Sequence, residues 1–143
     1  HRVLDGIESV GLSDKGRKRT SYVLDDDREP VLYRATHINH PSAKWVRHSL
    51  ANYQWLFKLW IELMREYHFR YGKIHSCMRL AKHLQKPPKN IPNGDYCDPW
   101  RAMPDEYKVD GDAIQSYRNY YNGAKMNMFK WKNRPVPDWI ITK

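Results

Sequence analysis

The stretch from His40 to His75 constrains this chain more than any other. It reads HPSAKWVRHSLANYQWLFKLWIELMREYHFRYGKIH. Apolar and aromatic residues recur at Leu50, Tyr53, Leu56, Phe57, Trp60, Met64, Tyr67 and Tyr71. Steps of three and four put them on one helical face. Glu62, Arg65, Glu66 and Arg70 fall mostly on the other side, and Glu66 before Arg70 is the favourable order for a spacing of four. Ser49 can cap the start, and Gly72 can stop the end in a left-handed turn. The pattern predicts one helix over Leu50–Tyr71, entered through a shorter helix that starts at Pro41, where proline's missing N–H costs nothing.

The rest of the chain is read around that rod. His1–Val10 (HRVLDGIESV) has Val3, Leu4 and Ile7 on a small apolar face and reads as the tail of a helix. Residue 1 is His rather than Met, so a preceding segment is expected. Ser13–Thr20 (SDKGRKRT) is a basic, glycine-containing loop that could lie on phosphates. Ser21–Thr36 has two short apolar runs, Tyr22–Leu24 and Val31–Tyr33, separated by Asp25–Asp27 and Pro30, which suits a short hairpin. The three aspartates lack the spacing and glycine of a calcium loop and read as a turn.

Lys73–Gln85 reads as a moderate helix that turns back on the long one and is stopped by Pro87 and Pro88. Lys86–Tyr107 holds too many prolines for regular structure. It also carries Ile91, Tyr96, Trp100 and Met103, so an ordered loop is expected. Asp112 can cap a last helix over Ala113–Lys130, packed through Ile114, Tyr117, Tyr121, Met126 and Phe129, with Gly123 its weak point. The expected fold class is mostly α: a single domain over residues 1–143, helical around one long central rod, with long ordered proline-rich loops and room for one short hairpin.

The chain has 143 residues, a net charge of +9 and a pI of about 9.6, which favours an acidic partner such as nucleic acid. Cys77 and Cys97 form neither a CxxC nor a zinc spacing, so two reduced thiols in a cytoplasmic protein are expected. No apolar run reaches the length of a membrane span, and no membrane partner is expected.

Two clusters could carry chemistry. His37, Asn39, His40, Lys44 and Arg47 surround a helix start, which suits an anion or phosphate. His37 and His40 have HxxH spacing, but no third ligand or H-E-x-x-H motif accompanies them, so no metal or other cofactor is assigned. Around the far end of the rod, Arg70, Tyr71, Lys73 and His75 interleave cations with aromatics in a way that can grip a backbone and stack a base. Glu66 beside them is the candidate acid/base carboxylate, provided the fold buries it. Both clusters have a plainer reading as helix caps, core tyrosines and a solvated helix end. Trp100–Tyr107 (WRAMPDEY) could be a lid or could simply hold its loop. Nucleophile elbows, P-loops and dinucleotide fingerprints do not occur.

The segments HINHPSAKWVRHSLANYQWL, EYHFRYGKIH, KNIP, AMPDEYK, YRNYYNGAK and WKNRPVPDW together resemble a family of small uncharacterised proteins of phage and marine viral sequences. The likeness covers nearly the whole chain. It implies a host-cell cytoplasmic setting and a further upstream segment bearing a cysteine–aspartate–lysine–histidine stretch. More remotely, His40-Pro41 followed by Trp45 and Arg47 is similar to a pattern in helical pyrimidine-dimer DNA glycosylases. That likeness implies a DNA-repair glycosylase or lyase in which an amine attacks the sugar and a glutamate assists. No residue here matches the amine-bearing start of such enzymes, so the likeness assigns no nucleophile, and Glu66 is the one carboxylate placed for the acid.

The leading expectation is thus a phage-type DNA-binding protein in which Lys44, Arg47, Arg70 and Lys73 converge on one cleft. The competing expectation is a non-enzymatic protein-interaction or virion-associated domain whose aromatic surface meets a protein partner.

Overall fold

The computed structural model describes residues 1–141. In chain order the elements are α1 (Arg2–Asp5), β1 (Ile7–Leu12), β2 (Lys18–Val23), α2 (Pro41–His48), α3 (Leu50–Tyr71), α4 (Ala81–Leu84) and α5 (Ala113–Tyr120). Single 3₁₀ turns at Ser76–Leu80, Asp105–Tyr107 and Met126–Met128, and a π turn at Tyr121–Lys125, complete the regular structure. With 44% helix and 10% strand, the fold is mixed rather than mostly α.

The central rod forms as its sequence dictates. The Ser49 hydroxyl accepts from the Asn52 N–H, and Gly72 takes φ 63°, passing its own N–H back to the His68 carbonyl. Upstream, Pro41 opens α2, and the His40 ring accepts the Ser42 N–H. The extended backbone of Ser49 joins the two helices, which pack on each other with Trp45 buried between them.

Buried polar groups do much of the positioning, and each finds a partner among the described residues. Asn52 is 0% exposed. Its amide donates to the Trp45 carbonyl at 3.0 Å and to Cys97 Sγ at 3.2 Å, and its Oδ1 accepts the Cys97 N–H at 3.0 Å. One side chain therefore ties α2, α3 and the proline-rich loop together. Arg2 is the second hub. Its guanidinium donates to the carbonyls of Tyr22, Glu29, Leu32 and Tyr33 and pairs with the Glu29 carboxylate. Leu24, Leu32 and Leu80 form the core beside it, with Val31, Trp60, Cys77 and Leu84 against them.

Several expectations are corrected. Residues 1–10 supply one helical turn and then a strand, not a helix tail. The hairpin lies at Ile7–Val23, pairing Ile7 with Val23 and Leu12 with Lys18 across a turn at Gly16 (φ 69°). The run Val31–Tyr33 belongs to no strand, because Arg2 takes the Leu32 and Tyr33 carbonyls and Arg79 that of Val31. Residues 73–85 form a 3₁₀ turn and one α turn: His75 Nδ1 takes the Cys77 N–H and starts a tighter local path. The last helix stops being α at Tyr120, where the wider π turn lays Gly123 against the Tyr107 ring, and Ile114 is 67% exposed rather than packed. Asp25–Asp27 is the expected turn: Asp26 accepts the Arg28 N–H and grips the Arg28 guanidinium.

No helix among the described residues is long and apolar enough to cross a membrane.

Candidate functional site

The first predicted cluster surrounds α2, and the second lies at the C-terminal end of α3, which is about 33 Å long for its 22 residues at 1.5 Å each. Around α2, His37 adopts φ 50° and its carbonyl accepts the His40 N–H, while His40 caps the helix. Arg47 donates to the Ile38 carbonyl at 2.7 Å and lines a mainly apolar groove with Ala43, Val46, Leu80 and Leu84. Asn39 and Lys44 are exposed. These residues fold the loop onto the helix start. The groove that Arg47 lines contains none of Lys44, Arg70, Tyr71, Lys73 or His75.

The second cluster does something else: it straps the C-terminal segment to the rod. Glu66 accepts from Arg70 Nε at 2.7 Å and from Arg134 through Nε and Nη2, the latter at 2.7 Å. The Arg134 and Arg70 guanidiniums hold its carboxyl down at about 2. Glu66 is therefore a fixed anion, with no proton to donate near neutrality. Arg70 also donates to the Lys130 carbonyl at 3.0 Å, and Asn133 Nδ2 reaches the Arg70 carbonyl at 3.4 Å. Lys132 lies 4.9 Å over the Tyr71 ring and Arg134 lies 3.9 Å over Phe69. Tyr67 packs against Tyr71 and His75, and Lys73 is exposed.

That strap builds one wall of a cavity that the sequence clusters did not foresee. Trp55 of α3, Tyr96 of the proline-rich loop, Tyr117 of α5, Tyr121 of the π turn, and Phe129, Trp131 and Trp139 of the C-terminal segment surround about 540 Å³. The volume is in the range of small-molecule sites, about 300–1,000 Å³. Tyr121 and Phe129 stack at 6.4 Å and 14°, and Phe129 meets Trp131 at 5.4 Å. Trp55 and Tyr96 also pack with the buried Trp45, the three rings lying 5.7–6.2 Å apart. Trp45 is locked by its indole N–H to the Cys97 carbonyl, 2.9 Å, and α5 is tied to the loop by Tyr117 donating to the Trp100 carbonyl. Burial and the neighbouring Asp98 push the Tyr96 phenol upward, so it stays protonated. The rim carries Arg118, stacked on Trp139 at 5.9 Å, and Lys130; Asp98 is the one carboxylate lining the cavity among the described residues.

No family model, curated protein or solved structure matches this chain.

The geometry alone therefore speaks for the site. It offers flat aromatic faces, few hydrogen-bonding groups inside and positive charge at the rim. Such an arrangement has the shape and charge to stack a planar, anion-linked group. Trp100–Tyr107 serves as a brace: Met103 is buried, and Arg101 donates to the Val109 carbonyl at 2.7 Å. Among the described residues no group of three or more His, Cys, Asp or Glu side chains gathers where it could hold a metal. The sequence did carry a trace of the cup, since Tyr96 and two C-terminal tryptophans stand in proline-rich segments that would otherwise have no use for them.

Proposed function

We propose that this protein binds DNA by taking an unpaired base into the aromatic cup. The single observation that carries the reading is the ring of Trp55, Tyr96, Tyr117, Tyr121, Phe129, Trp131 and Trp139 around one cavity with Arg118 and Lys130 at its edge. Every base has a π-face, so stacking accepts bases of any sequence and contributes about 1–3 kcal/mol per base. Lys125 and Lys132 flank the same region, each lying over a tyrosine ring and outside the ion pairs of the described residues. The net charge of +9 supplies the long-range attraction to a phosphate backbone. The remote likeness to helical DNA glycosylases points to the same partner. The reading stops at binding, because Glu66 lies outside the cup and is held by its two arginines.

The test is fluorescence titration of labelled oligo-dT against wild type and Trp131→Ala across a salt series. Stacking predicts saturable binding by wild type, weakened in the variant by about 1–3 kcal/mol at every salt concentration. No binding at low salt would overturn the reading and leave the cup as a protein-partner surface.

A further inference from the structure

We infer that the β1–β2 hairpin is a DNA-reading arm that lies in the major groove of duplex DNA, apart from the cup, with which its groove shares no lining residue. Every residue of β1 is exposed, and only Ser21 and Tyr22 of β2 are even half-covered. A two-stranded ribbon with no core beneath it is marginal on its own. Here Arg2 and α1 anchor its base, and the outer part stands free.

Directly paired residues of an antiparallel ribbon share a face. One face carries Ser9 opposite Ser21 and Gly11 opposite Arg19; Glu8, paired with Tyr22, is on the other. The first face borders a groove of about 330 Å³ that Arg34 also lines. Its carboxylate, Glu29, is already engaged by Arg2 and by the Leu24 N–H. Arg17, Arg19 and Arg34 take part in no ion pair among the described residues. The face thus offers hydroxyls and unpaired cations, and a Cβ added at Gly11 would meet nothing within 4 Å, so the backbone there is open to an approaching surface.

The shape fits the same partner. Six residues per strand make a ribbon about 20 Å long at 3.3 Å each. The B-form major groove, about 12 Å wide, admits a two-stranded ribbon, whereas the deep, narrow major groove of A-form RNA does not. Charge complementarity and groove width therefore select duplex DNA.

The proposal shares the nucleic-acid class of the cup reading but uses different residues, so the two fail separately. The probes are a labelled B-form DNA duplex, an RNA duplex of the same length and oligo-dT. In Arg17→Ala/Arg19→Ala/Arg34→Ala, duplex DNA binding should fall at least tenfold at low salt. Its salt slope should shrink by roughly 2–3, at about 0.9 for each phosphate that is no longer neutralised. Oligo-dT binding should hold within about twofold, since the cup is untouched. Gly11→Val is the companion variant: a Cβ there meets nothing within 4 Å, and an unchanged thermal unfolding curve is expected. A branched side chain on the docking face should still weaken duplex binding. Unchanged duplex affinity and slope in both variants would overturn the arm, as would equal affinity for the RNA duplex. If Trp131→Ala leaves oligo-dT binding intact while the triple variant still loses duplex DNA, the arm stands and the cup reading falls.

Discussion

At the scale of single residues, Asn52 and Glu66 show how much geometry two polar side chains can hold. Asn52→Leu would leave the Trp45 carbonyl and the Cys97 N–H buried without partners. Each orphaned group costs about 1–3 kcal/mol, so a loss of about 2–6 kcal/mol in urea unfolding is expected. A loss below about 1 kcal/mol would show that water reaches this corner. For Glu66 the folded carboxyl sits at about 2 against an ordinary 4.5. The depressed value means that its stabilisation is present above about 4.5 and lost as pH falls from there to about 2. In Glu66→Gln that part of the acid dependence should vanish. The variant and wild type should converge at the acid end in pH-dependent unfolding; parallel curves would mean the pair with Arg70 and Arg134 does not hold in solution. Neither role could be seen beforehand. A Ser-x-x-Asn at a helix start looks like capping alone, and Arg134 is 68 positions away from Glu66.

At the scale of elements, legibility followed locality. The bounds of α3 were readable because Ser49, Gly72 and the apolar steps between them all act within a few residues. The hairpin was not, because β1 is exposed on both faces and so has no inward-outward alternation to reveal it. Its register depends on pairing with a segment that reads as a basic loop. Gly123 is the intermediate case. The sequence marks it as a weak point in a helix, but the reason it is glycine lies in Tyr107, whose ring would be 2.4 Å from an added Cβ. That ring is itself packed on Tyr120 at 5.4 Å, so it cannot swing away freely. Gly123→Ala should destabilise by about 1–3 kcal/mol, as overpacking does. It should also disturb Tyr121, hence oligo-dT binding, because the π turn carries both. Thermal unfolding and titration of one sample separate the two effects; a variant as stable as wild type would show that Tyr107 has room the packing does not suggest.

At the scale of the whole molecule, the charge was legible and its distribution was not. The total of +9 is spread over both ends of α3, the hairpin and the cup rim, and the acids neutralise it selectively. Arg2, Arg28, Arg65, Arg70, Arg101 and Arg134 are all occupied by carboxylates. Around the cup, Arg118, Lys125, Lys130 and Lys132 have no such partner among the described residues. If all four meet phosphates, single-strand binding should fall with salt at a log–log slope near −3, at about 0.7 per phosphate neutralised. Removing Lys130 and Lys132 together should flatten that slope by about 1.4, whereas Trp131→Ala should lower the line without changing its tilt. A salt titration of the three proteins separates charge from stacking in one measurement. Equal slopes for wild type and the double lysine variant would move the phosphate path elsewhere. A slope near zero throughout would mean the cup holds an apolar protein side chain rather than a nucleotide.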